Sequence, residues 1–134
     1  MTNIESGQKL IKRAEDIFKR DLKGALAEKD YNMVVRRAQE VVEFALKGAL
    51  KILGVDYPKV HDVGFIFAEQ ARTKVPNVQE DTLERIKSVS TWLGEVRAPS
   101  FYMERDYTEE DAKQAFEEAS FVLKEIKGIF QVRE

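Results

Sequence analysis

Between Tyr31 and Leu53 the chain reads YNMVVRRAQEVVEFALKGALKIL, with Val34, Ala38, Val41, Val42, Ala45, Leu46, Ala49, Leu50 and Leu53 at steps of three and four. That period gathers them on one wide face of an α-helix. A helix with such a face is stable only when other elements cover it. The flanks agree with the period. Asp30 can accept from the free amides of the first turn. Gly54 is the expected left-handed stop, and Pro58 prevents early resumption. The small members Ala38, Ala45 and Ala49 admit a close neighbour. Glu43, Lys47 and Lys51, four apart, are read as an exposed face.

The rest of the chain supplies covering helices. A first helix is expected from about Ile4 to Ala27, with Thr2 and Glu5 as a capping pair and Leu10, Ile11, Ala14, Ile17, Phe18, Leu22 and Ala25 inward. Gly24 inside it permits close packing or marks fraying. A third helix opens between Lys59 and Asp62 and ends near Lys74, with Val60, Val63, Phe67 and Ala71 inward. A fourth runs from about Glu80 to Val96 on a stripe of Leu83, Ile86, Val89 or Ser90, Leu93 and Val96. Arg97 to Tyr107 is expected to be irregular, broken by Pro99 and anchored by Phe101, Tyr102 and Tyr107. Thr108, with Asp111 three residues on, opens the last helix, which buries Ala112, Ala115, Phe116, Ala119, Val122, Leu123, Ile126 and Phe130. No strand alternation occurs. Short connections between long helices make consecutive helices antiparallel. The expected fold class is all-α, an up-and-down bundle of four to five helices, with residues 1–134 as one domain.

Composition removes several functions. There is no cysteine, which excludes disulfides, thiol catalysis and thiolate metal sites. Twenty-two Lys and Arg against 24 Asp and Glu give a net charge of −2, no basis for bulk capture of nucleic acid. No apolar run approaches the roughly 18 residues of a membrane span. The N-terminal stretch MTNIESGQKL lacks a signal pattern, so a cytoplasmic location is expected.

Several stretches, in this order and spacing, resemble the HEPN domain family over about residues 8 to 129. They are Ala45-Leu46-Lys47-Gly48-Ala49-Leu50, then Gly54, Pro58, His61-Asp62, Arg97-Ala98-Pro99, and the helix opening Tyr107-Thr108-Glu109-Glu110-Asp111-Ala112. The resemblance implies a bundle of four or five helices that often dimerises through helix faces. It also implies one of two functions. Some members are ribonucleases, usually toxins or defence proteins, with an active cleft formed on dimerisation. Others are non-catalytic, many encoded beside a minimal nucleotidyltransferase, and bind a nucleotide, a substrate or that partner.

The ribonuclease signature in the family is Arg, four to six residues, then His, pairing a proton-transfer imidazole with a phosphate-holding guanidinium. Counting back from His61, the only histidine, the required arginine would stand at 54 to 56, where the chain has Gly54, Val55 and Asp56. His61 and Asp62 are then either a ligand contact or a helix start that satisfies free amides. Arg97 either binds a phosphate or caps the carbonyls of the fourth helix. In the family an Arg-Tyr-Pro often stands here, and with Ala98 in the middle any role of the aromatic is either lost or moved to Phe101 or Tyr102. Arg36 either meets a phosphate or pairs with Glu40 on a solvated face. Di-iron, Gly-rich phosphate-loop and paired-aspartate chemistries lack their residues, and no cofactor or metal is expected. The leading expectation is a non-catalytic HEPN module, homodimeric, that binds a nucleotide or a substrate beside a minimal nucleotidyltransferase in a toxin–antitoxin-like pair, with nucleotide or RNA as the candidate partners. Its ligand contacts would come from His61, Asp62, Arg97, Arg36 and Tyr102. The alternatives are a ribonuclease with a degenerate site, using His61 with Arg97 or with an arginine across a dimer, and a helical protein-interaction module.

Overall fold

The computed structural model describes residues 2–130. Among them every regular element is helical, and the fold is an up-and-down bundle. Helix α1 (Asn3–Asp16) runs through a π-helical stretch (Ile17–Leu22) into α2 (Lys23–Ala27), making one rod. Helices α3 (Tyr31–Ile52), α4 (Gly64–Lys74), α5 (Glu80–Phe101) and α6 (Glu109–Phe130) follow. No helix among the described residues is long and apolar enough to cross a membrane.

The helix ends follow from local chemistry. The Thr2 hydroxyl accepts from the Glu5 amide at 3.0 Å, and Asp30 accepts from the Met33 amide at 3.3 Å. Thr108 and Asp111 cap α6 reciprocally: each side chain accepts from the other's amide, at 3.1 and 3.0 Å. Gly54, at φ 74°, stops α3 and lets the Val55 amide reach back to the Leu50 carbonyl.

Helix α3 is the centre, packed against α1, α5 and α6, while α4 lies chiefly on α5. Contrary to the expectation that consecutive helices are antiparallel, α4 runs the same way as α3: the segment between them returns the chain to His61 beside Glu43, and α4 then ends with the Lys74 side chain at the Leu53 carbonyl. Its apolar stripe is buried as the period requires, apart from the half-buried Leu53. Each fully buried Val or Leu of the stripe contributes roughly 1.5–3 kcal/mol, and each alanine less. The closest approach is not at its alanines. A Cβ on Gly48 would stand 2.6 Å from the Gly7 carbonyl oxygen, so the two glycines let α1 and α3 touch backbone to backbone. Gly24 has nothing within 4 Å of a Cβ, so it serves no close packing.

Four further expectations are corrected. Helix α4 starts at Gly64, and 53–63 is an irregular strap over α3 with Val60 46% exposed rather than inward. The strap covers part of the face expected to be solvated, leaving the Glu43 and Lys47 side chains 13% and 15% exposed. Helix α5 continues past Val96 through Pro99 to Phe101. Proline removes one helix hydrogen bond, but the Ser100 hydroxyl donates to the Arg97 carbonyl at 2.8 Å and Asn32 binds the Ser100 carbonyl. These contacts carry the helix one turn further, to a left-handed Met103 where the Glu104 amide meets the Pro99 carbonyl. Arg97 is therefore inside a helix, and its guanidinium caps no carbonyl.

Candidate functional site

The α5 residues Leu83, Ile86, Ser90 and Leu93 are buried, and Ser100 is buried seven residues after Leu93. Arg97 lies between them on the same stripe, at the four-residue step from Leu93. Arg97 itself is half-buried; its guanidinium has no ion pair among the described residues, and its Nε is buried with no hydrogen-bond partner among them. A half-buried cation without a counter-charge carries a desolvation cost unless something else meets it.

Arg36 faces it from α3. Its guanidinium lies over the Phe101 ring, 3.5 Å from the centroid, and its Nε is also buried without a partner. Glu40, expected as its pair, is bonded by Arg37 at 2.7 Å and approaches Arg36 only to 4.0 Å. Burial holds the Arg36 guanidinium below its ordinary range; Glu40 opposes this, and the nearby charges of Arg97 and Arg37 add to it. Tyr102 stands edge-on to Phe101 at 4.8 Å between centroids and is 68% exposed. Thus Arg36, Arg97 and Tyr102, three of the expected residues, come together with Phe101 where α3 meets the end of α5.

His61 and Asp62 lie elsewhere. Glu43, which His61 contacts, is seven residues along α3 from Arg36, about 10 Å. His61 Nδ1 meets Glu43 Oε1 at 3.0 Å, and the ring is 55% exposed. Glu43 also accepts from Lys47 at 2.7 Å and Gln39 at 3.0 Å. Burial pushes this carboxyl up, but the bonds from Lys47, Gln39 and His61 outweigh it and hold the group below its ordinary 4.5. Asp62 Oδ1 accepts from the Ser90 hydroxyl at 2.6 Å and the Gly64 amide at 3.0 Å, and Oδ2 accepts from Thr91 at 3.0 Å. Both oxygens are engaged in starting α4 and fastening the strap to α5.

The HEPN domain model matches residues 8–129. The chain belongs to the HEPN domain family. A crystal structure described as ST0689, an archaeal HEPN homologue, superposes with a TM-score of 0.65 at 25% identity, covering 99% of this chain and 100% of that one. No curated protein matches the chain.

Within this HEPN frame the ribonuclease signature can be tried from Arg97 as well as from His61. The positions that would hold the histidine are Tyr102, Met103 and Glu104. A phenol stands at the shortest permitted spacing. Two roles escaped the sequence reading, which passed over Asn32 and placed Glu43 on an exposed face. Asn32 binds the turn after α5, and Glu43 gathers the charges under the strap. Continuing the α5 stripe by one four-residue step beyond Leu93 would have placed Arg97 inward. No comparable pattern singles out Asn32.

Proposed function

We propose that this HEPN protein is a non-catalytic module that binds a nucleotide, with the phosphate between Arg36 and Arg97 and the base against Tyr102. The observation that carries this reading is Arg97 itself: a guanidinium on a core stripe, unpaired, opposite a second guanidinium that repels it. A phosphate supplies what the pair lacks, since its oxygens accept forked N–H donors from both sides. The adjacent aromatic rings suit the base that a nucleotide brings. What the HEPN resemblance implies supports the rest: a homodimer, with a minimal nucleotidyltransferase as partner in a toxin–antitoxin-like pair. Calorimetric titration with inorganic pyrophosphate and with ADP tests the site. Binding of both that is lost in Arg97→Gln supports it, and no binding by the unmodified protein refutes it. Solution mass of the protein alone and mixed with a candidate nucleotidyltransferase tests the assembly.

A second reading rests on the His61–Glu43 contact. A carboxylate on Nδ1 orients the ring and leaves Nε2 free, an arrangement suited to a general base. This would be a ribonuclease with a degenerate site. RNA cleavage abolished by His61→Ala would favour it; cleavage unchanged by that substitution would end it.

A further inference from the structure

The proposed nucleotide site, on which this inference rests, has a half fixed on helices and a half hung from one side chain. Arg36 and Arg97 stand within α3 and α5. Phe101 and Tyr102 stand where α5 ends, beyond Pro99 and just before the left-handed Met103 at φ 57°. Asn32 ties this end to α3. Its Nδ2 donates to the carbonyls of Ser100 at 3.3 Å and Arg105 at 2.8 Å, and its Oδ1 accepts from the Tyr107 amide at 2.9 Å. Its amide cannot be flipped without setting donor against donor and acceptor against acceptor. The side chain is 8% exposed and so binds both limbs of the 100–107 turn away from competing water. It sits four residues before Arg36, on the same face of α3.

The two aromatic rings are not equivalent. One face of Phe101 is taken by Arg36, whereas Tyr102 meets Phe101 edge-on and is mostly open to solvent. An open ring face attracts any base and reads none of its edges. We propose that Asn32 is a positioning residue that holds Tyr102 as a stacking platform, so that the site takes nucleotides of any base in preference to a bare phosphate compound.

Calorimetry of the full chain with pyrophosphate, ADP and CDP tests this. The unmodified protein should bind ADP and CDP with affinities within about fivefold of each other, both about tenfold tighter than pyrophosphate. Tyr102→Ala, at an exposed position, should erase that tenfold advantage, so that ADP and CDP bind no tighter than pyrophosphate does to the same variant. Asn32→Ala should do the same while circular dichroism shows a folded chain. Adding it to Tyr102→Ala should then change the nucleotide-to-pyrophosphate ratio no further, which a general loss of stability would not reproduce. If Asn32→Ala does not fold, Asn32→Asp keeps the acceptor for Tyr107, loses the bonds donated to Ser100, Met103 and Arg105, and should show the same loss of advantage. A nucleotide advantage that survives the Asn32 variants, or a preference above tenfold for one base, overturns the proposal. Pyrophosphate binding with no nucleotide advantage overturns it while sparing the Arg36–Arg97 site, and absence of all binding overturns both.

Discussion

Gly7 and Gly48 meet backbone to backbone where α1 crosses α3. A Cβ on Gly48 would stand 2.6 Å from the Gly7 carbonyl oxygen and 2.7 Å from Ile11 Cγ1, so a methyl group forces two helices apart. Gly48→Ala should therefore destabilise the fold by about 2–3 kcal/mol, the cost of overpacking a tight contact. Gly24→Ala is the control. That glycine is helical with nothing within 4 Å, and alanine there should stabilise by about 0.5–1 kcal/mol. Urea unfolding of both variants checks the opposite signs; two changes in the same direction would refute the account of α1 and α3.

Arg97 joins stability to binding in opposite directions. With no ligand its guanidinium is a partly buried charge beside a like charge. Arg97→Leu extends the apolar stripe after Leu93 and removes that repulsion. The variant should be more stable by about 1 kcal/mol and should bind no pyrophosphate or nucleotide. Denaturant midpoints and calorimetry on the same sample check both halves. A destabilised variant would mean that Arg97 has a structural partner, and retained binding would remove it from the site.

Asp62 is expected to act on the fold alone. Its carboxylate binds the Ser90 hydroxyl, the Gly64 amide and Thr91, and so connects the strap, the start of α4 and α5. A Cβ on Gly64 would stand 2.6 Å from Ser90 Cβ, so α4 and α5 are already in close contact there. Asp62→Ala should cost about 2–3 kcal/mol, since it strips a charged acceptor from several donors at once. ADP affinity should stay within about twofold. A loss of affinity at unchanged stability would return Asp62 to the list of ligand contacts.

The core was legible because it depends on period. The α3 stripe from Val34 to Leu50, the caps at Thr2, Asp30 and Thr108, and the stop at Gly54 all follow from local rules that tertiary structure left in force. The site was legible only as residue types. Arg36, Arg97 and Tyr102 could be named, but that they meet depends on α3 and α5 running antiparallel in one register. That in turn depends on Pro99 staying inside its helix. Sequence rules make Pro99 a breaker, and what overrides them is the local Ser100–Arg97 bond together with a contact from Asn32, 68 residues before Ser100. The strap shows the same limit. Glu43 and Lys47 read as an exposed ion pair by their four-residue spacing, because nothing local says that 53–63 will lie over them.

That covering gives Glu43 a measurable acid response. Its folded carboxyl titrates below the ordinary 4.5, because Lys47, Gln39 and His61 together outweigh the burial that pushes it up. In the unfolded chain those contacts are gone and the group returns to its ordinary value. The ionised form is thus favoured in the fold, so Glu43 contributes stability that is fully present above pH 4.5 and is lost as pH falls from there through the folded value. Glu43→Gln removes this proton linkage. At neutral pH it should be less stable than the unmodified protein by about 1–2 kcal/mol, because Lys47 and His61 lose their charged acceptor. As the pH is lowered from about 7 the difference should hold until about pH 5 and then shrink toward about pH 3. Urea unfolding of both proteins across that range measures it. A difference that stays constant, or grows toward acid, would mean that burial rather than the three donors governs Glu43, and that the strap is held by something other than this charge cluster.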